Sequence, residues 1–279
     1  MTITFIPEIW SARMLTSLKK NLVFAQPGVV NRDYEGEIRN QGDTVRIRSI
    51  SRPTIGTYSK GSTTITPEQL TDAQRALLID QAKYFAFELD DIDAAQFTGG
   101  ELANALVEAS YGLRDVADQY VAGLYTGAAS ANQIGTVAVT SAALAYTQLR
   151  KLATKLDEAN VPQEGRWVVV PPWFYGLLLE DDRFVRVDAS GTSQGLRNGI
   201  VGMALGFDVL KSNNAPFVTG DDYAVIAGHP SAISYAEQIV KVETYRPQDS
   251  FSDAIKGLHV YGAKLVRPDA IATVVASQT

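Results

Sequence analysis

"RIRSISRPTIGTYSKGS", residues 46–62, holds three arginines and a lysine but no acid, and it shows no regular apolar face. Proline and glycine punctuate it. Beyond it the chain turns acidic. Residues 1–62 carry nine Lys/Arg against five Asp/Glu, residues 63–130 carry three against eleven, and the whole chain of 279 residues has a net charge of −6. Such segregation lets a basic front surface meet an acidic one, and in a self-assembling protein the acidic one can belong to another copy. Three roles suit a basic excursion of this kind: a nucleic-acid arm, a substrate loop of an enzyme, or a limb that reaches onto a neighbouring copy.

Its flanks read as strands. Val45 and Ile47 alternate with Arg46 and Arg48, a period of two, and Ser49 and Ile50 end the run. The partner is the run of residues 75–89, "RALLIDQAKYFAFEL", where Tyr84, Ala86 and Glu88 alternate with Phe85, Phe87 and Leu89. The Thr-, Ser-, Gly- and Pro-rich connection is longer than compact domains ordinarily tolerate, and such loops are usually functional. A lone hairpin is at best marginally stable in water, so this limb must lean on another surface. Ahead of it, residues 1–42 read as an arm. Ile9, Trp10, Met14, Leu15, Leu18 and Leu22 have helical spacing, Pro7-Glu8 suits a helix start, and Pro27-Gly28 breaks the run. An arm so apolar docks on its own body or on a neighbour, which makes Trp10, Leu15 and Leu18 its expected contacts.

The body divides in two. After Gly99-Gly100, Leu102, Leu106, Ala109, Leu113, Val116, Tyr120 and Leu124 trace one stripe of a long helix over 101–125, roughly 38 Å at 1.5 Å per residue. Within 139–232, helix, strand, helix and strand alternate. Leu144, Leu149, Leu152 and Leu156 face inward on an amphipathic helix capped by Ser141, followed by strands at Trp167–Val170, Phe207–Lys211 and "DYAVIAGHP". Strands return over 236–276, with the long helix as their natural backing. The 139–232 unit is then an insertion between that helix and those strands.

Catalytic chemistry is thinly supplied. With no cysteine there is no disulfide, thiolate nucleophile or Cys-type zinc site. No run approaches the ~20 apolar residues of a membrane helix, and the first residues lack a signal-peptide pattern. "GTSQG" places Ser193 in a Gly-x-Ser-x-Gly, with Asp208 and His229 following in hydrolase order. That elbow needs a buried strand just before the serine, and "RFVRVDAS" is too charged to be one. The ordinary reading is a glycine loop. His229 and His259 are the only histidines, and nothing sets them at ligand spacing. Glu88–Asp93, "ELDDID", lacks the calcium-loop pattern and is read as an acidic helix start. Phosphate-cradling glycine motifs are absent, so no cofactor is expected. For nucleic acid, Arg46, Arg48, Arg52 and Lys60 around Tyr58 make a weak footprint on an acidic chain.

The order of parts, with "FIPEIWSARMLTSLKKNLVFAQ", "GDTVRIRSISRPTIGTY", "RWVVVPPWFYGLLLEDDRFV" and "GFDVLKSNNAP", resembles the major capsid protein of tailed double-stranded-DNA bacteriophages, actinobacteriophage sequences in particular. The resemblance implies an α+β chain of the Hong Kong 97 fold. It implies an N-terminal arm (1–42), an extended E-loop (43–88), a peripheral domain (89–138 and 233–279) with a spine helix, and an inserted axial domain (139–232). It further implies a shell of pentamers and hexamers around DNA, with Arg46, Arg48, Arg52, Tyr58 and Lys60 of the loop reaching a neighbour. Its implied partners are a separate scaffolding protein, a portal and a decoration protein, and its implied place is the virion, after assembly in the bacterial cytoplasm. Lys60 lies in the loop, but no asparagine or glutamate here matches the cross-linking set of some members. Two rival readings are a soluble hydrolase using Ser193 and His229, and a non-viral shell of the same fold.

Overall fold

The computed structural model describes residues 23–33, 44–50, 55–57, 59–60, 72–90, 101–181, 202–247 and 252–279. Trp10, Leu15, Leu18, Arg52, Tyr58 and Ser193 lie outside the described residues.

The limb is an antiparallel hairpin of β1 (Thr44–Ile50) and β2 (Asp72–Leu78), in register from Thr44↔Leu78 to Ile50↔Asp72. The sequence reading made 75–89 one strand and ended the loop at 88. The structure divides that run instead. β3 (Gln81–Asp90) leaves the limb and pairs with β10 (Ser252–Leu265), which pairs on its other side with β9 (Ile233–Tyr245). Glu88–Asp90 therefore end a strand rather than start a helix. Burial explains the break. Leu77 and Ile79 fill a small separate core with Ala236 and Val260, while Asp80 between the strands stays exposed. The chain crosses β10 so closely there that a Cβ on Gly262 would stand 2.4 Å from the Leu78 carbonyl oxygen. Only glycine leaves room for that crossing.

Helix α1 (Glu101–Gly123) lies behind this three-stranded sheet. Tyr120 packs edge-on against Tyr261 of β10, centroids 5.5 Å apart, and donates a hydrogen bond to Asp80 at 3.2 Å. The buried stripe is Leu106, Leu113, Ala117 and Val121, and it also takes in Ser110, Arg114 and Asp118. Val116, expected on the stripe, is exposed. The helix is thus turned about one residue from the face its apolar spacing favours, and polar side chains come inward.

The second sheet has six strands in the order β4-β11-β8-β5-β7-β6. They are β4 (Gln133–Ala138), β5 (Trp167–Val170), β6 (Met203–Ala204), β7 (Phe207–Lys211), β8 (Asp222–Gly228) and β11 (Ile271–Ser277). β5 is buried throughout, as a central strand covered on both faces must be. Helix α2 (Ala142–Glu158) brings Leu149, Leu152 and Leu156 to the core, each worth ~1.5–3 kcal/mol of burial. Ser141 caps it by accepting the Leu144 N–H. Leu144 itself, read as inward, is exposed, because it sits in the first turn, outside the packed stripe. Helix α3 (Pro172–Leu179) starts on proline, which has no N–H to leave unsatisfied, and buries Phe174 and Leu178. Two strands depart from the sequence reading. Residues 133–138 and 271–277, read with the peripheral unit, hydrogen-bond in the six-stranded sheet. β11 pairs antiparallel with β8 and parallel with β4.

The Gly262→Ala variant should be less stable by about 1–3 kcal/mol, since the added Cβ meets backbone rather than a movable side chain. Thermal melts should show a lower Tm, and limited proteolysis should cut first at the β2–β3 junction.

Candidate assembly interface

Residues 23–33 of the arm lie on the chain's own body. Phe24, Ala25, Val29 and Val30 are buried in the main core with Trp167, Leu149 and Tyr261. The fixing group is Asp118 of α1. One carboxylate oxygen accepts the backbone N–H of Val23 (3.0 Å), Phe24 (2.7 Å) and Ala25 (3.3 Å), and the other accepts Asn214 Nδ2 at 3.1 Å. One side chain therefore joins arm, helix and the β7–β8 connection. Burial pushes this carboxyl up, against the opposing pull of Asn214 and the three amides.

A second clasp closes the other end of the segment. Asn31 bridges to β9, donating to the Ile233 carbonyl and accepting from the Tyr235 N–H, both at 2.9 Å. Arg32 pairs with Glu237 Oε1, and its guanidinium lies 5.0 Å over the Tyr235 ring. Glu237 Oε2 accepts the Tyr235 hydroxyl at 2.8 Å and lies 3.3 Å from His259 Nε2. Burial alone would raise the Glu237 carboxyl. The His259 ring, the Arg32 guanidinium and the Tyr235 hydroxyl outweigh it and hold the group down at about 2.

Of the residues singled out for catalysis, Ser193 lies outside the described residues, and His229 and Asp208 have other surroundings. His229 Nδ1 accepts the Ser231 N–H at 3.2 Å and lies 2.8 Å from Ser231 Oγ, so the ring caps the turn at Pro230–Ala232. His259 belongs to the Glu237 cluster, and Asp208 is exposed on β7 opposite Trp167. Among the described residues no group of three His, Cys, Asp or Glu could hold a metal. No described helix is long and apolar enough to cross a membrane.

The basic limb and the acidic helix keep free surface. Ile55 is 86% exposed, and Lys60 and Arg75 are exposed too. Arg46 and Arg48 lie on β1. On α1, Val107, Glu108 and Tyr111 share the outer face, and the helix's one basic residue, Arg114, is buried against the Tyr111 ring. That face is therefore apolar and acidic.

Sequence reasoning missed the clasps. Asp118 lies one position from Ala117 on a stripe that spacing alone places elsewhere. Arg32, Glu237 and His259 meet only because β9 and β10 pair.

Asp118→Ala should strip three backbone amides, two of them buried, of their acceptor and cost roughly 3 kcal/mol. Hydrogen exchange should then speed up selectively at residues 23–25. Glu237 supplies a pH test. Its folded value lies below its ordinary 4.5, so its contribution is complete above about pH 4.5 and is lost as pH falls toward about 2. The size is on the order of 3 kcal/mol. Asp118, raised on folding, has the opposite sign, so the Glu237 part is read as the difference from Glu237→Gln. That variant should melt lower at pH 7, by about 3–5 kcal/mol, because Arg32 keeps its burial but loses its anion. Its stability should also fall less in acid than that of the wild type.

Residues 71–274 match the family described as phage capsid protein. A solved chain from Mycobacterium phage Che8 is 34% identical, with 100% of this chain and 99% of that chain covered and a TM-score of 0.76. The capsid structure of the cyanophage P-SCSP1u shares the fold at 17% identity, 94% and 90% coverage and a TM-score of 0.75. A virus-like particle from Pyrococcus furiosus shares it at 14% identity, 96% and 98% coverage and a TM-score of 0.55. No curated protein matches. The arm, hairpin limb, spine helix and paired sheets form a Hong Kong 97-type fold, and the chain belongs to the phage capsid protein family.

Proposed function

We propose that the chain is the major structural subunit of an icosahedral phage head, tiling pentamers and hexamers around double-stranded DNA. The observation that carries this is end-to-end correspondence with the Che8 chain at 34% identity, together with the family match over 71–274. Assembly is the mechanism. Each copy buries arm and limb on its neighbours, and many weak contacts sum through closed symmetry. An overall charge of −6 suits DNA held by confinement rather than by affinity.

In this reading residues 1–42 are the N-terminal arm, with Trp10, Leu15 and Leu18 on a neighbour. The limb is the E-loop. Its Arg46, Arg48, Arg52, Tyr58 and Lys60 lie over the acidic, apolar outer face of a neighbour's α1, where charge and exposed Ile55 find complements. The axial unit is 139–232 with β4 and β11 added to its sheet, and the rest of 89–279 is peripheral. A separate scaffolding protein, a portal and a decoration protein complete the head, which assembles in the host cytoplasm. The rival reading, a compartment shell of the same fold with a different content, is not favoured by the family match or the Che8 chain. Nuclease-protected DNA in purified particles decides between the two.

The triple variant Arg46→Glu, Arg48→Glu, Arg52→Glu should leave the subunit's Tm within a few degrees of wild type while abolishing closed particles in negative-stain micrographs. An unfolded triple variant would defeat the E-loop assignment. Wild-type chain that forms no rings or shells, with scaffold present, would defeat the capsid reading.

A further inference from the structure

A hollow of about 340 Å³ lies where β2, the turn after α2 and the β10–β11 connection meet. That volume is within the range of small-molecule sites. Its walls are held by one buried side chain and by backbone hydrogen bonds. Arg166, 3% exposed, donates from Nε to the Pro162 carbonyl at 2.8 Å and from Nη2 to the Val161 carbonyl at 2.6 Å, while its Nη1 pairs with Asp157 at 2.8 Å. The Ala232 carbonyl accepts the N–H groups of Val266 and Arg267 at 2.8 and 3.1 Å. Val161, Pro162, Val266 and Pro268 give the hollow an apolar lining.

Its charge is positive. Arg75 of β2 and Arg267 line it against one acid, Asp269. Arg75 brings Nη1 to 3.5 Å from the carbonyl oxygen of Leu265, close to Arg267 in the chain. Among the described residues neither guanidinium has a carboxylate within ion-pair distance. The His229 ring, in contact with the lining residue Ser231, registers the field. Burial pushes it down, and Arg166 and Arg267 push it further, against the pull of the Glu164 backbone. Both lining arginines are open to solvent, so a small molecule can enter without the fold opening. A guanidinium presents a planar fork of donors that matches the oxygens of a carboxylate or a phosphate. We infer that the hollow binds a small molecule carrying one oxyanion head, carboxylate or phosphate, on a compact apolar body. Arg75 and Arg267 hold the head, and Val161, Pro162, Val266 and Pro268 receive the body. Fixed walls leave little to order on binding. Because Arg75 stands at the base of the hairpin limb and Arg267 on the body of the subunit, the bound head ties the two together. The site is complete within one chain, so it stands apart from the shell reading.

Calorimetric titration of the full-length chain at fixed ionic strength tests this, with phenyl phosphate and benzoate as probes. At least one of them should bind once per chain, and which one binds identifies the head. Inorganic phosphate and acetate, heads without a body, should bind at least about tenfold more weakly. Arg75→Gln and Arg267→Gln should each weaken probe binding at least about tenfold and leave the Tm of the free chain unchanged, since both side chains are exposed. The saturating probe should also slow hydrogen exchange at residues 72–78 in the wild type and not in Arg75→Gln, a readout that diffuse attraction of anions would not move. The inference is overturned if neither probe binds, if the bodiless anions bind as tightly as the probes, or if both variants keep the wild-type affinity.

Discussion

A carboxylate with three consecutive backbone amides on one oxygen organises this subunit. Val23, Phe24 and Ala25 lie in a bent stretch of chain, with no helix or sheet ladder to take up their N–H groups, and buried amides must find an acceptor. Asp118 supplies it, and Asn214 holds its second oxygen. Because Asp118 stands on the long helix and Asn214 follows the six-stranded sheet's β7, the same contact that seats the arm fixes the two sheets against each other. The inward turn of the helix, away from its best apolar face, follows from this contact.

The opposite end of the segment repeats the logic with charge. Arg32, Tyr235, Glu237 and His259 form a buried polar group whose members come from the arm, β9 and β10. Such groups add less to stability than an apolar core of equal volume, but they are strict about register. A slip of one residue in the arm would move Arg32 off Glu237 and drag Phe24 from its pocket. The described stretch of the arm, residues 23–33, is thereby held on the body in one register.

Much of the architecture was legible in period and punctuation. The alternation of residues 44–50, the helical spacing of 142–158 with its Ser141 cap, and the apolar run at 167–170 each specify their element locally. What was not legible depended on close approach. Nothing in "RALLIDQAKYFAFEL" marks a break at Ile79-Asp80, because its cause is Gly262, far along the chain, where β10 lets another strand cross. The assignment of 133–138 and 271–277 failed for a similar reason, since strands that pair in parallel carry no turn between them to announce it. The expected assembly residues were chosen by charge and resemblance. The clasps, made of one aspartate and a buried ion pair, have no local pattern.

The position of β11 sets a clock. It lies inside the six-stranded sheet, between β8 and β4, and pairs residue 273 with residue 133. As the chain leaves the ribosome, β4 through β8 emerge first and wait with an open edge. The sheet closes only when residues 271–277 are free, so its longest-range contacts form last and folding is slowed. Until then the main core, to which Ile271, Ala272, Val274 and Ala276 of β11 belong, is incomplete, and a chain truncated before that strand could not finish it.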